Sequence, residues 1–504
     1  MSRKILAKNA MSAVLQVLTT GVLTFELYRF LNRHLTVAQI GIWSVVLAGA
    51  TTGRLIDLGL GGGVVKFVAK YMGENSRAEA GTTIQMALAG MAVLFCVASL
   101  SLFPLLYSGL AFLIKDPSSL EQARALLPYA LATLIIGALS GVTLSALDGC
   151  QRMDLRAILG VTGSLVQLVS AYCLVPRLAL LGLALGQVIQ SVVVFVSGML
   201  LLLRLVGPDL CDFRGWKKSK FGELIRYGSG FQAAAVGQIL FEPAVKAILT
   251  RYSGLEFTGY YEMANRMVLQ LRSLLVSAYQ SLVPYVAGAL KSEEELRGIY
   301  ISSYRLLFLL TALGFGFAGL WLPFALQMWL GRFVPKFIEI GDLCLLGWAL
   351  NTLCAPAYFI LIGAGKLGWP VLSHTAIGMF SVAFGILFGS LFGGFGVLGA
   401  AMMALTFGSH LVPFAFHVRH KISWRWLIPR ESWPTCSCAV LGSLCVLVST
   451  LAVGTSTQPR VIVLAVFLSV ALIYSSRGNP NAGVMLRLFG EMRRRRHENS
   501  EHSQ

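Results

Sequence analysis

Charge is what this chain of 504 residues most lacks: 13% of it is Asp, Glu, Lys or Arg, while 56% is hydrophobic. Soluble domains carry about 25% charged residues, so a water-soluble globular protein is excluded and the chain belongs in lipid. Acids are the scarcer sign, 23 against 41 Lys and Arg, for a net charge of +18. Cysteine is sparse too. None of the nine falls in an expected outer loop, which argues against a disulfide framework. Cys436 and Cys438 have no matching His or Cys pair that would make a metal site.

Motifs for nucleotide chemistry are missing as well. Gly363, Gly365 and Lys366 lack Walker spacing, and the Gly59, Gly61, Gly62, Gly63 run is read as the end of a membrane span rather than a strand-to-helix turn. No ATPase site or cofactor is expected. The longest outer loop expected, 104–124, is too short to hold a glycosyltransferase, polymerase or ligase domain, so the chain is not expected to be an enzyme. The basic residues are not interleaved with aromatics in a soluble module, which argues against nucleic acid as a partner.

What is present is apolar sequence in long runs, with a mean hydropathy of +0.72. A spanning helix needs about 20 such residues. Runs of that kind predict spans at 11–31, 39–61, 80–103, 125–147, 157–175, 180–203, 227–250, 259–288, 302–323, 341–363, 369–392, 396–417, 434–453 and 459–476. The first follows Arg3, Lys4 and Lys8 like a signal peptide, but it carries Glu26 and Arg29 and is read as a retained helix. With both termini cytoplasmic, about 27 Lys and Arg fall inside and about 9 outside. The surplus charge is thereby a topology signal and a contact for anionic head groups of membrane lipids.

The chain also repeats itself. Arg33, Gly41 and Trp43 align without gaps on Arg251, Gly259 and Tyr261. Arg54 then falls on Arg272, and Leu181, Gly182 on Leu398, Gly399, at an offset of about 217 residues. Each repeat holds an even number of spans, so the two share one orientation and are related by an axis along the membrane normal. The expected fold is all-α: a polytopic membrane protein of about 14 transmembrane helices, two six-helix lobes in a parallel, inverted-V repeat, and two extra C-terminal helices. The expected domains are an N-terminal lobe (1–203), a cytoplasmic linker (204–226), a C-terminal lobe (227–417), a cytoplasmic loop (418–433), the extra helices (434–476) and a basic cytoplasmic tail (477–504).

Charges within spans cost about 2.5–3.5 kcal/mol on insertion scales, so those that persist face a cavity or a partner. Glu26 and Arg29 are three apart, as are Arg54 and Asp57, and Glu242 and Lys246 are four apart around Pro243. Glu262, Arg266 and Gln270 follow one helical face, with Arg272 on an adjoining stripe. These helices are the first two of each repeat. Arg54, Arg272, Arg266, Arg29 and Lys246 are therefore candidates for a cationic, anion-binding cavity, and Glu26, Asp57, Glu242 and Glu262 for ion-coupling or pairing carboxylates. The bland readings stand beside these: Arg29 and Lys246 as snorkelling residues, Arg54 with Asp57 as an interfacial pair, Arg305 as an interfacial anchor. His374 and His410 are proton-relay candidates, while His417 and His420 read as surface residues among basic neighbours.

Certain motifs add a likeness: Lys8 and Asn9 before the first span, Gly41, Ile42 and Trp43 opening the second, and Asp57, Leu58, Gly59, Leu60 and Gly61 closing it. Phe67 to Tyr71, Gly363 to Lys366 and Gly396 to Ala401 complete the set. The chain resembles the bacterial polysaccharide transporter family, the O-antigen and exopolysaccharide flippases of the multidrug/oligosaccharidyl-lipid/polysaccharide exporter superfamily. That resemblance implies a carrier in the bacterial inner membrane. Its substrate would be an undecaprenyl-diphosphate-linked oligosaccharide, moved from the cytoplasmic to the periplasmic leaflet by alternating access. Polysaccharide polymerase or glycosyltransferases of the same pathway would be its partners. The related peptidoglycan-precursor flippase has cavity arginines in its second and eighth helices, which Arg54 and Arg272 match, and its relatives use the two extra helices in a lipid-tail groove. Coupling is open between a proton or sodium gradient and the membrane potential, which favours moving about two negative charges outward by roughly 4–5 kcal/mol at about 100 mV. The rivals are a multidrug or toxin exporter of the same superfamily and a non-transporting component of a polysaccharide assembly complex.

Overall fold

The structure, a computed structural model, describes residues 3–56, 59–207, 210, 218–282, 286, 292–427 and 429–483. Among the described residues all regular structure is helical. The helices are α1 (Arg3–His34), α2 (Val37–Thr51), α3 (Leu60–Gly73), α4 (Arg77–Leu113), α5 (Pro117–Gly149), α6 (Met153–Val206) and α7 (Lys218–Ser277). After them come α8 (Glu293–Leu330), α9 (Pro335–Thr352), α10 (Ala355–Gly363), α11 (Gly368–Arg419), α12 (Trp433–Val453) and α13 (Pro459–Ser476). Among the described residues seven helices are long and apolar enough to cross a membrane, and the pair α9–α10, bent by 41°, makes an eighth if it is one span. The protein is a multi-pass membrane protein.

Local chemistry sets the ends. Thr36 and Gln39 form a capping box at the start of α2. Asp116 accepts from the Ser119 N–H with Pro117 at the first helical position of α5, and Ser292 caps the acidic first turn of α8. Three long helices are interrupted by one residue of non-helical backbone: Ala179 in α6, Gly254 in α7 and Gly393 in α11. Divided there, α6 and α11 supply the paired spans predicted at 157–203 and 369–417, and α7 supplies the pair predicted at 227–288 as far as Ser277, residues 283–285 and 287–288 of that prediction lying outside the described residues. Gly254 stands opposite Thr36 in the repeat register, so both repeats turn between their first two spans at the same place.

Two boundaries differ from the sequence reading. The outer loop expected at 104–124 is nearly all helix, since α4 runs to Leu113 and α5 begins at Pro117. Only Asp116 and its hydrogen bonds are needed to turn the chain, and helices extend well past the roughly 20 residues that hydrocarbon requires. The glycine run at 59–63 does not end a span: Gly59, in the left-handed region at φ 66°, starts α3, after α2 has tightened into a 3-10 turn at Thr52–Ile56.

The chain groups into two compact units, residues 1–270 with 370–408, and residues 271–369 with 409–504. In the second, α8, α12 and α13 share a core of Leu320, Ala439, Val446, Val461, Ala465 and Leu472. The outer faces are apolar, with Leu100 76% and Tyr474 70% exposed, as lipid-facing side chains are.

The first unit contains the clearest trace of the repeat. At Gly41 of α2 a Cβ would strike the Leu255 carbonyl and come within 3.2 Å of the Gly259 nitrogen; at Gly259 of α7 a Cβ would strike the Val37 carbonyl. Val37 and Leu255, and Gly41 and Gly259, are repeat counterparts 218 positions apart, the separation that also divides Ser44 from Glu262. Contacts that return with the partners exchanged are the signature of a two-fold axis. The glycines permit the backbones of the two helices to approach that closely.

Candidate functional site

About two turns beyond the Gly41–Gly259 crossing lies a cavity of about 420 Å³, lined by Leu47, Ala48, Ala50, Thr51 and Arg54 from the second predicted span, Ala130, Thr133 and Leu134 from α5, and Gln187 from α6. Its charged wall is Glu242, Lys246 and Arg266, all from α7, with Pro243 between them. Pro243 leaves a backbone carbonyl without its helical donor beside these side chains. Three cations and one carboxylate thus face one space.

Behind that wall sits Glu262, 4% exposed. Its Oε2 is 2.6 Å from the Lys246 Nζ and accepts from the Ser44 hydroxyl at 2.9 Å. Its Oε1 accepts from the Arg266 Nε at 2.7 Å and from the Tyr28 hydroxyl at 3.1 Å. A carboxylate has about four acceptor positions, and here all four are used. Lys246, itself 3% exposed, also reaches Glu242 Oε1 at 2.5 Å, an oxygen that lies 4.0 Å from Arg266. The buried Lys246–Glu262 pair holds together because each charge is answered: removing one partner of a buried pair costs about 3–5 kcal/mol.

Of the predicted site residues, Arg54, Glu242, Lys246 and Arg266 come together around the cavity and Glu262 braces two of them. Lys246 is buried in an ion pair and does not snorkel. Glu26 and Arg29 pair at 3.5 Å with side chains 38% and 41% exposed, and Glu26 also accepts from Tyr172 at 3.0 Å. Arg272 belongs to the second unit, where its Nε donates to Asn351 at 2.9 Å and its guanidinium lies 5.1 Å from the Trp348 ring. Asp57 lies outside the described residues. Arg305 pairs with Glu431 and stacks on Trp426, as an anchor does.

The reading of two histidines as surface residues is corrected. His417 and His420 are 1% and 4% exposed, the first bonded to Tyr300 at 2.9 Å, the second to Glu293. Their basic neighbours in sequence concealed an aromatic pocket that includes Tyr300, Phe416 and Trp424. Tyr28, Ser44 and Gln187 were missed outright. Ser44 had a signal, being the repeat counterpart of Glu262. Gln187 had none: it bonds Gln190 at 3.0 Å on its own half of α6, and Gln167, which holds it at 2.7 Å, meets it only once the two halves are folded together.

Solved transporters share this fold. An inward-facing multidrug resistance MATE family transporter of the MOP superfamily superposes with a TM-score of 0.69 at 13% identity, covering 82% of this chain and 98% of its own. The lipid II flippase MurJ in an inward closed conformation gives 0.65 at 12% identity, covering 91% and 97%. A MOP superfamily transporter from Pyrococcus furiosus gives 0.57 at 14% identity, covering 82% and 96%. No curated protein sequence matches. Residues 6–289, more than half of the sequence, match the family described as polysaccharide biosynthesis protein, and this chain belongs to that family.

Proposed function

We propose that the protein is a flippase for an undecaprenyl-diphosphate-linked oligosaccharide, carrying its head group from the cytoplasmic to the periplasmic leaflet by alternating access of lobes 1–203 and 227–417. The observation that carries this reading is the cavity where Arg54, Lys246 and Arg266 face one space in a membrane protein. Forked guanidinium donors match phosphate oxygens, and a cation in a low-dielectric wall attracts them strongly. A volume of about 420 Å³ falls low in the range of roughly 300–1,000 Å³ for small-ligand sites. It suits the diphosphate end of the substrate, not a whole oligosaccharide.

The lipid tail stays in hydrocarbon while the polar end crosses, which removes the cost of several kcal/mol for each unsatisfied polar group. With the basic loops on the cytoplasmic side, the Gly41–Gly259 crossing is the outer end of the path and the cavity lies inward of it. The membrane potential supplies part of the drive. Of the three described candidate carboxylates, Glu242 faces the cavity, whereas Glu262 has its acceptor positions filled; Glu242 is the site for a coupling proton or sodium ion.

The test is reconstitution with a fluorescent undecaprenyl-diphosphate sugar. Arg54→Ala and Arg266→Ala each lower flipping at least about tenfold, a loss of about 1.4 kcal/mol or more of head-group interaction; unchanged flipping overturns the reading. Multidrug export is a second reading, favoured by Glu242 facing the cavity, since a carboxylate there binds cations. It predicts uptake of a cationic dye that Glu242→Gln abolishes.

A further inference from the structure

The carboxylate of Glu262 is placed where a ligand's anion would be expected. It lies between the Gly41–Gly259 crossing and the cavity, and it holds from behind Lys246 and Arg266, two cations that line that cavity. It also gathers four helical segments into one point: Tyr28 of α1, Ser44 of α2, Lys246 before the Gly254 break in α7, and Arg266 after it. These are the first two spans of each repeat, and Ser44 is the position that Glu262 itself occupies in the other repeat. A tie so near the axis is strained most directly when the two repeats move apart.

Resting on the reading of the cavity as a diphosphate site, we propose that Glu262 is an internal stand-in for substrate phosphate, and that its exchange for the substrate's anion releases the crossing at Gly41 and Gly259. In the empty protein Lys246 and Arg266, on the same helix α7, keep Glu262 satisfied without water, and parting the crossing would only cost it the Ser44 and Tyr28 hydroxyls, so that end stays shut. When a diphosphate enters, the two cations keep an anionic partner and lose nothing. Glu262 keeps only the hydroxyls of Ser44 and Tyr28, too few for a buried carboxylate, and it is stabilised by admitting water from the crossing side. Binding thereby favours the open state through differential contacts, as a ligand-driven shift requires. The empty carrier does not open by this route.

The experiment uses the full chain with its nine cysteines replaced and one reporter, Thr51→Cys, in the cavity wall. A membrane-impermeant maleimide is applied at the face where α2 begins, and inorganic pyrophosphate at the other. With Glu262 present, labelling is slow and pyrophosphate accelerates it several-fold. Glu262→Gln raises the unstimulated rate by about tenfold, the change that weakening a hydrogen bond to a charged group produces, and removes the pyrophosphate response. Ser44→Ala, which keeps every charge, gives an intermediate rise. Labelling from the opposite face, retained in each variant, shows that the protein is folded. Parent rates in both variants overturn the latch. A pyrophosphate response as large in Glu262→Gln as in the parent overturns the exchange alone and leaves the diphosphate site standing. No response in any protein, with Glu262→Gln still fast, overturns the diphosphate reading and the exchange together.

Discussion

Arg54 and Arg272 occupy the same position in the two repeats and live in different chemistry. Arg54 lies within the 3-10 turn that ends α2, is exposed, and faces a polar cavity that also contains Lys246 and Arg266. Arg272 sits half-buried in the second unit, one N–H given to Asn351 and its plane against Trp348. Ser44 and Glu262 show the same divergence about three turns nearer the crossing: one position, a small hydroxyl in one repeat and a buried carboxylate in the other. Duplication fixes where a side chain stands on its helix. The neighbouring helices decide what it does, and the pseudo-symmetric cavity gains its polarity from the half that broke the symmetry.

The largest effect that would test this division is on folding. Lys246→Ala leaves Glu262 buried with Arg266 as its remaining cation, and the expected loss is about 3–5 kcal/mol, read as a lowered unfolding temperature in detergent. Arg305→Ala is the control in the second unit. Its pair with Glu431 has side chains 28% and 20% exposed, so solvent screens it more and the loss is about 1 kcal/mol. Equal losses would mean that burial does not distinguish the two regions.

Transport comes next. Arg54→Ala is expected to reduce flipping at least about tenfold at normal expression. Arg272→Ala is expected to reduce it less and to be copied by Trp348→Leu, which removes the ring the guanidinium rests on. Arg272→Lys keeps the charge and loses the planar stack, and it should resemble Arg272→Ala; full activity in the lysine variant would show that charge alone matters there. If Arg272→Ala abolishes flipping as completely as Arg54→Ala does, the two repeats are functionally equivalent and the contrast fails.

Much of the architecture was legible because lipid imposes a simple rule on sequence: long apolar runs, broken where the chain turns. The register of Arg33, Gly41 and Arg54 on Arg251, Gly259 and Arg272 was legible too, and the back-to-back glycines give it a physical reason. The charged residues of α7 announced themselves by their cost in a membrane. Which of them share a space could not be read, because Lys246 and Glu262 are joined by packing across the Gly254 break and not by spacing on one helix face. Hydroxyls and amides such as Tyr28, Ser44 and Gln187 carry little insertion penalty, so nothing in composition sets them apart.

The smallest effect falls at the axis itself. Ser44→Ala removes one of four groups that the Glu262 carboxylate accepts from and leaves both cations in place. A hydrogen bond to a charged group contributes about 1.5–3 kcal/mol when buried, and the lower end is expected here because Lys246 remains bonded to the same oxygen at 2.6 Å. Tyr28→Phe acts on the other oxygen, at a longer 3.1 Å, and should cost less still. The double variant is the informative one. If the two hydroxyls only fill acceptor positions, their losses add; if they orient the carboxylate between α1 and α2, the pair is coupled and the combined loss departs from the sum by more than about 0.5 kcal/mol. Coupling of that size would show that the first repeat, which brings no charge of its own to this carboxylate, still aims it.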